Sequence, residues 1–124
     1  MKKIILISLM FCSCHVYAQD TKEYGCSFDQ GYQLISEDGM STFDGGKILV
    51  TVENRQTSLF SNDGGFGEQV LDVYQSTSDK IASLKLSDDN YMHFVLNLEN
   101  KRFVLTSTVA TSYSSMVQGN CVDI

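Results

Sequence analysis

The chain has 124 residues, with 9 Lys+Arg against 15 Asp+Glu and a formal net charge of −6. That is the length of one domain. The acidic balance, with no Lys/Arg cluster to offset it, excludes nucleic acid and disfavours anionic membrane surfaces.

Residues 1 to 18, MKKIILISLMFCSCHVYA, have the layout of a secretory signal peptide. Lys2 and Lys3 form a positive start, Ile4 to about Cys14 an apolar run, and Val16-Tyr17-Ala18 a small-x-small cleavage site. The apolar run is roughly ten residues, too short for a bilayer that needs about 20, so no membrane span is expected. Cleavage after Ala18 is the expected processing; lipoprotein processing at Cys14, which follows Ser13, is the alternative. Residues 19 to 124 are then one antiparallel β domain, periplasmic or secreted. Removing 18 residues leaves 106; Lys2 and Lys3 go with them, so 7 Lys+Arg face 15 Asp+Glu and the formal charge becomes −8.

Two cysteines remain, Cys26 and Cys121, near opposite ends of the mature chain. In an oxidising compartment two cysteines predict one disulfide, which here clamps the first strand to the last. A redox pair would want Cys-x-x-Cys spacing, and neither residue has it.

Alternation with period two runs along most of the rest. A first strand carries Tyr24, Cys26 and Phe28; Asp29-Gln30-Gly31 reads as a turn, and Tyr32–Leu34 as a short continuation. Turn signals follow at Ser36–Met40 and at Asp44-Gly45-Gly46. Lys47 to Ser61 reads as a hairpin about Asn54-Arg55, with Val52 opposite Thr57 and Val50 opposite Leu59. The stretch from Ser61 to Gly67 is too Gly-rich for a strand interior. Val70 to Gln75 is a strand, and Lys80 to Leu86 the next, with Ala82, Leu84 and Leu86 on one face. A three-residue loop Asp88-Asp89-Asn90 then sets Leu86 opposite Met92 and Leu84 opposite Phe94. The segment from Tyr91 to Ala110 is the clearest hairpin. Met92, Phe94, Leu96 and Leu98 share a face with Phe103, Leu105, Ser107 and Val109. With Asn100-Lys101 at the turn, Leu98 opposes Phe103 and Glu99 opposes Arg102. Met116 to Val122 closes the chain. The fold class is therefore all-β: a small antiparallel sandwich or up-and-down barrel of eight to nine short strands. The chain has no proline, so edges are expected to be closed, or guarded by charges such as Lys80 and Lys85.

The chemistry is mostly negative. Nucleophilic catalysis lacks Gly-x-Ser-x-Gly, and the mature chain has a single histidine, His93, with no partnered Ser, Cys or Asp at a diagnostic spacing. One His and two bridged Cys do not make a zinc site. Asn62-Asp63 and Asp88-Asp89-Asn90 are oxygen-rich but lack the calcium-loop spacing. The Gly-rich stretches lack the phosphate-loop pattern, and Glu37-Asp38 reads as a solvated turn. No enzyme class, metal or cofactor is supported. Phe66, between Gly65 and Gly67, is either tucked over the core or presented as an anchor; with Asn62 and Asp63 it makes the candidate binding loop.

Tyr24-Gly25-Cys26 near the mature start, the β-meander, and Gly119-Asn120-Cys121 near the end resemble small exported bacterial β-proteins. In size, acidity, barrel plan and end-to-end bridge the chain resembles the periplasmic C-type lysozyme inhibitors. That family carries an inhibitory Ser in a short Ser-Asn-Gly-like loop, to which Ser61-Asn62-Asp63-Gly64 is similar. The family's Trp followed by Lys-Gly has no counterpart in a chain without Trp, so no inhibitory role is carried over. The expectation is a non-catalytic binding module that meets a basic protein of the cell envelope, of inhibitor or immunity type. The alternatives are a small-ligand carrier with a barrel cavity and a structural envelope component.

Overall fold

The computed structural model describes residues 21–61, 67–110 and 112–124. The expected signal peptide and the candidate loop residues Asn62, Asp63 and Phe66 lie outside the described residues. Eight strands run in chain order: β1 Lys22–Ile35, β2 Gly39–Glu53, β3 Gln56–Ser61, β4 Gly67–Ser76, β5 Lys80–Leu86, β6 Asn90–Asn97, β7 Arg102–Val109 and β8 Tyr113–Asp123. Each pairs antiparallel with the next, and β8 returns to β1, so the sheet closes into an up-and-down barrel. Closure removes the edges that a proline-free chain would otherwise expose.

The β2–β3 hairpin forms as its sequence requires. Asn54 and Arg55 both take positive φ, 53° and 64°, the geometry of a tight turn whose twist matches that of its strands. Val50 pairs with Leu59 and Val52 with Thr57. The β6–β7 hairpin keeps its expected face but moves by two residues. Leu96, not Leu98, opposes Phe103, and Phe94 opposes Leu105. Asn97 causes the shift: its Oδ1 accepts from the backbone N–H of Glu99 and of Asn100, opening a wider loop that ends on Lys101 at φ 60°. A shift by an even number preserves which side chains point inward, and Phe94, Leu96, Phe103 and Leu105 are all buried.

Two expected turns are strand interior. Asp29-Gln30-Gly31 is a bulge within the 14-residue β1, where its pairing with β8 shifts between Ser27 and Gly31. Asp44-Gly45-Gly46 lies within the 15-residue β2. Glycine is needed here for close approach. A Cβ at Gly45 would sit 2.1 Å from the Phe28 carbonyl oxygen, and one at Gly31 would sit 2.1 Å from Cζ of Phe43. The far end of the Phe43 ring occupies the gap that Gly31 leaves, and the ring meets Phe28 edge to face at 6.3 Å. Gly31→Ala is therefore expected to displace Phe43 and cost about 1 to 3 kcal/mol, the usual range for overpacking. Urea unfolding of the variant beside Gly25→Ala checks it, because a Cβ at Gly25 meets only ordinary contacts of 3.7 Å and more.

β5 departs from its reading. The β5–β6 loop holds two residues, Asp88-Asp89, closed by the Ser87 N–H donating to the Asn90 carbonyl. Leu86 then pairs with Tyr91, and Ser83 with Phe94. One residue fewer in the loop reverses the strand's faces. Ile81, Ser83 and Lys85 share the lumen face, and Leu86 stands 69% exposed. Ser83 is tolerated inside because its hydroxyl meets that of Thr57 at 2.6 Å, both residues being fully buried.

The core fills the barrel from the chain-terminal end upward. Tyr24, Ile48, Val50, Leu59, Leu71, Phe94, Leu96 and Phe103 pack with the Cys26–Cys121 disulfide. Phe28, Leu105 and Val117 form its upper layer and are the floor of the site described next.

Candidate functional site

Above that floor the packing stops. The ends of β1, β2 and β4 to β8 enclose a cup of about 430 Å³ at the mouth of the barrel. Its base is apolar: Phe28, Phe43, Met92, Leu105 and Val117. Its wall and rim are mostly polar, with Gln33, Gln69, Lys85, Asn90, Tyr91, Ser107, Tyr113 and Ser115 beside the apolar Val109. This division follows from the strand pattern. On successive inward positions β7 carries Phe103, Leu105 and Ser107, and β8 carries Cys121, Gly119, Val117 and Ser115 reading toward the mouth. Large side chains fill the base, and serines thin out the wall.

Lys85 is the one charged residue lining the cup among the described residues. Its Nζ donates to Gln69 Oε1 at 2.8 Å across β4 and β5. Among the described residues no carboxylate lines the cup; Asp88 and Asp89 stand in the β5–β6 loop and Glu37 and Asp38 in the β1–β2 connection, both at the mouth end, and Asp123 pairs with Lys101 at the far end at 3.2 Å. The sequence offered Lys85 as an edge guard only if the sheet stayed open; the barrel is closed, and the reversed face of β5 turns Lys85 into the cup.

His93 stands on the outer wall. Its Nε2 lies 2.7 Å from the Tyr74 hydroxyl, and the two rings stack at 5.8 Å. Tyr91 approaches from the same strand at 6.2 Å. Among the described residues the side-chain hydrogen bond of His93 goes to this tyrosine and not to a carboxylate. Nor do any three of the described His, Cys, Asp and Glu residues gather as metal ligands. Of the candidate binding loop, the structure describes the flanks only: β3 ends at Ser61 and β4 resumes at Gly67. Cys26 and Cys121 face each other in register and are bridged, with Cα atoms 3.9 Å apart.

A second surface lies outside the barrel. Tyr32, Leu34, Met40 and Met116 line a groove of about 330 Å³ over β7, β8, β1 and β2. Among the described residues, no helix is long and apolar enough to cross a membrane.

A scan against protein-family models finds no match, and a search of curated protein sequences finds none either.

Proposed function

We propose that this chain is an exported, non-catalytic binding protein whose binding end is the barrel mouth, and that its occupant is a small molecule. The observation that carries this reading is the cup: a filled core stops short of the mouth and leaves about 430 Å³ with an apolar base and a polar wall. Small-molecule sites run from about 300 to 1,000 Å³ and combine apolar walls with a few placed polar groups. A barrel of eight strands is just wide enough to hold one such ligand. Export is supported by the buried Cys26–Cys121 bridge, since disulfides persist in oxidising compartments.

A second reading keeps the expected protein partner, a basic envelope protein drawn to the acidic surface. The outer groove at Tyr32, Leu34, Met40 and Met116 favours it, because a charge-free apolar patch on a barrel wall suits a protein interface.

Filling the cup separates the two. Val117→Phe puts a ring into the base beside Leu105, at a residue that lines the cup and not the outer groove. An environment-sensitive apolar fluorophore is expected to bind the wild-type protein and to lose at least tenfold in affinity for the variant, with the far-ultraviolet circular dichroism unchanged. Equal binding to both would remove the cup from the function. Retention of a basic envelope protein at one to one by the filled variant would move the reading to the outer groove.

A further inference from the structure

We infer that the cup selects a small organic anion with an apolar body, held by its charged head on Lys85. The inference rests on the small-molecule reading above and names the class of ligand. Lysine is rarely placed at an inward position, because its ammonium loses water there unless an acceptor replaces it. Lys85 is half-buried on the lumen face of β5. Among the described residues its hydrogen-bond partner is neutral: the Gln69 amide oxygen at 2.8 Å. An ammonium carries three N–H donors, so two remain for an acceptor in the cup. No carboxylate is among the described residues lining the cup, although the chain has 15 Asp+Glu. A cationic ligand would meet like charge and no counterion. A neutral ligand could accept from the ammonium, as Gln69 does, but would leave its charge without a counterion. An anion supplies the missing partner, in a confined site where a charge-assisted hydrogen bond is about twice as strong as a neutral one.

The rest of the cup states the shape of the ligand. Phe28, Phe43, Leu105 and Val117 form the base, so the body beyond the head is apolar and points down. At about 30 Å³ per water of liquid, 430 Å³ corresponds to roughly 14 waters, and a body of ten to fourteen or so non-hydrogen atoms fills it. The amide of Asn90 at the rim adds a donor for a second head-group oxygen, while Gln33 Nε2 already donates to Ser41 Oγ at 3.1 Å.

The test uses three probes of one length on the purified, oxidised protein by titration calorimetry: decanoate, 1-decanol and decylamine. Decanoate is expected to bind at one to one and at least tenfold more tightly than either of the others. In Lys85→Met, which keeps the apolar stem, decanoate affinity is expected to fall at least tenfold while decanol affinity holds or rises. Lys85→Arg is expected to stay within about threefold of wild type. Retained decanol binding shows that the methionine variant is folded. Decanol binding as tightly as decanoate, or Lys85→Met leaving decanoate unchanged, overturns the anion inference and leaves the small-molecule reading standing. Binding of none of the three by folded, bridged protein overturns both.

Discussion

Removing the Cys26–Cys121 bridge is expected to cost the domain about 4 to 5 kcal/mol, the largest loss of any single change considered. The two residues are 95 apart in sequence, and cross-linking a loop of that length takes about this much chain entropy from the unfolded state. A domain of this size is stable by only about 5 to 15 kcal/mol, so the loss is a large share of the whole. The location compounds it. The barrel closes where β8 meets β1, and that seam is irregular, shifting between Ser27 and Gly31. On one side of the shift only Tyr24 to Ser27 pair with Asn120 to Asp123. The bridge sits inside this short run and holds the ends of the chain together before any of it has formed. The check is urea unfolding of Cys26→Ala/Cys121→Ala beside wild-type protein, oxidised and reduced. Reduction without substitution isolates the cross-link from the packing of the two buried side chains. A fall in the thermal midpoint of roughly 16 to 40 °C should accompany it, at about 4 to 8 °C per kcal/mol. A loss under about 1 kcal/mol in the reduced wild type would mean that the seam holds through strand pairing alone.

The same seam shows what was legible in the sequence. Two cysteines and one compartment left one pairing, and the structure has it. The alternation in Phe94, Leu96, Phe103 and Leu105 placed the core face of β6 and β7 although the loop between them was misjudged, because the two-residue error preserves parity. Asn54-Arg55 fixed its hairpin outright. The glycines misled. Gly31 and Gly45 carry turn signals, but what they allow is the contact of one strand with the backbone or ring of its neighbour, which sequence alone does not display. The cup was hidden for a different reason. Its polar wall, Gln33, Gln69, Ser107 and Ser115, scatters over four strands and is assembled only by closure. Lys85 was hidden by β5 itself. In Lys80–Leu86 the outward residues Leu84 and Leu86 are more apolar than the inward Ser83 and Lys85, so hydrophobic alternation favours the wrong face. The signal that could have corrected it is the loop length: a two-residue Asp88-Asp89 turn in place of a three-residue one.

That reversal has a sharp consequence for mutation. Ser83→Asp is expected to destabilise the fold by at least about 3 kcal/mol, whereas Leu86→Asp, three residues along, should stay within about 0.5 kcal/mol of wild type. The alternation of the sequence predicts the reverse. Ser83 has no exposed surface, pairs with Phe94 and Val73, and has one polar partner, the Thr57 hydroxyl at 2.6 Å. A carboxylate there would lose its hydration beside its strand partners Phe94 and Val73, neither of which supplies a cation. Leu86 is 69% exposed at the end of its strand, where an acid keeps its water. Urea midpoints of the two variants decide the matter without structure determination. Equal costs, or a larger one at Leu86, would return Leu84 and Leu86 to the lumen. Lys85 would then leave the cup, and the anion inference would go with it. The ordering of these two numbers therefore tests the face of β5 on which the proposed ligand head depends, independently of any ligand.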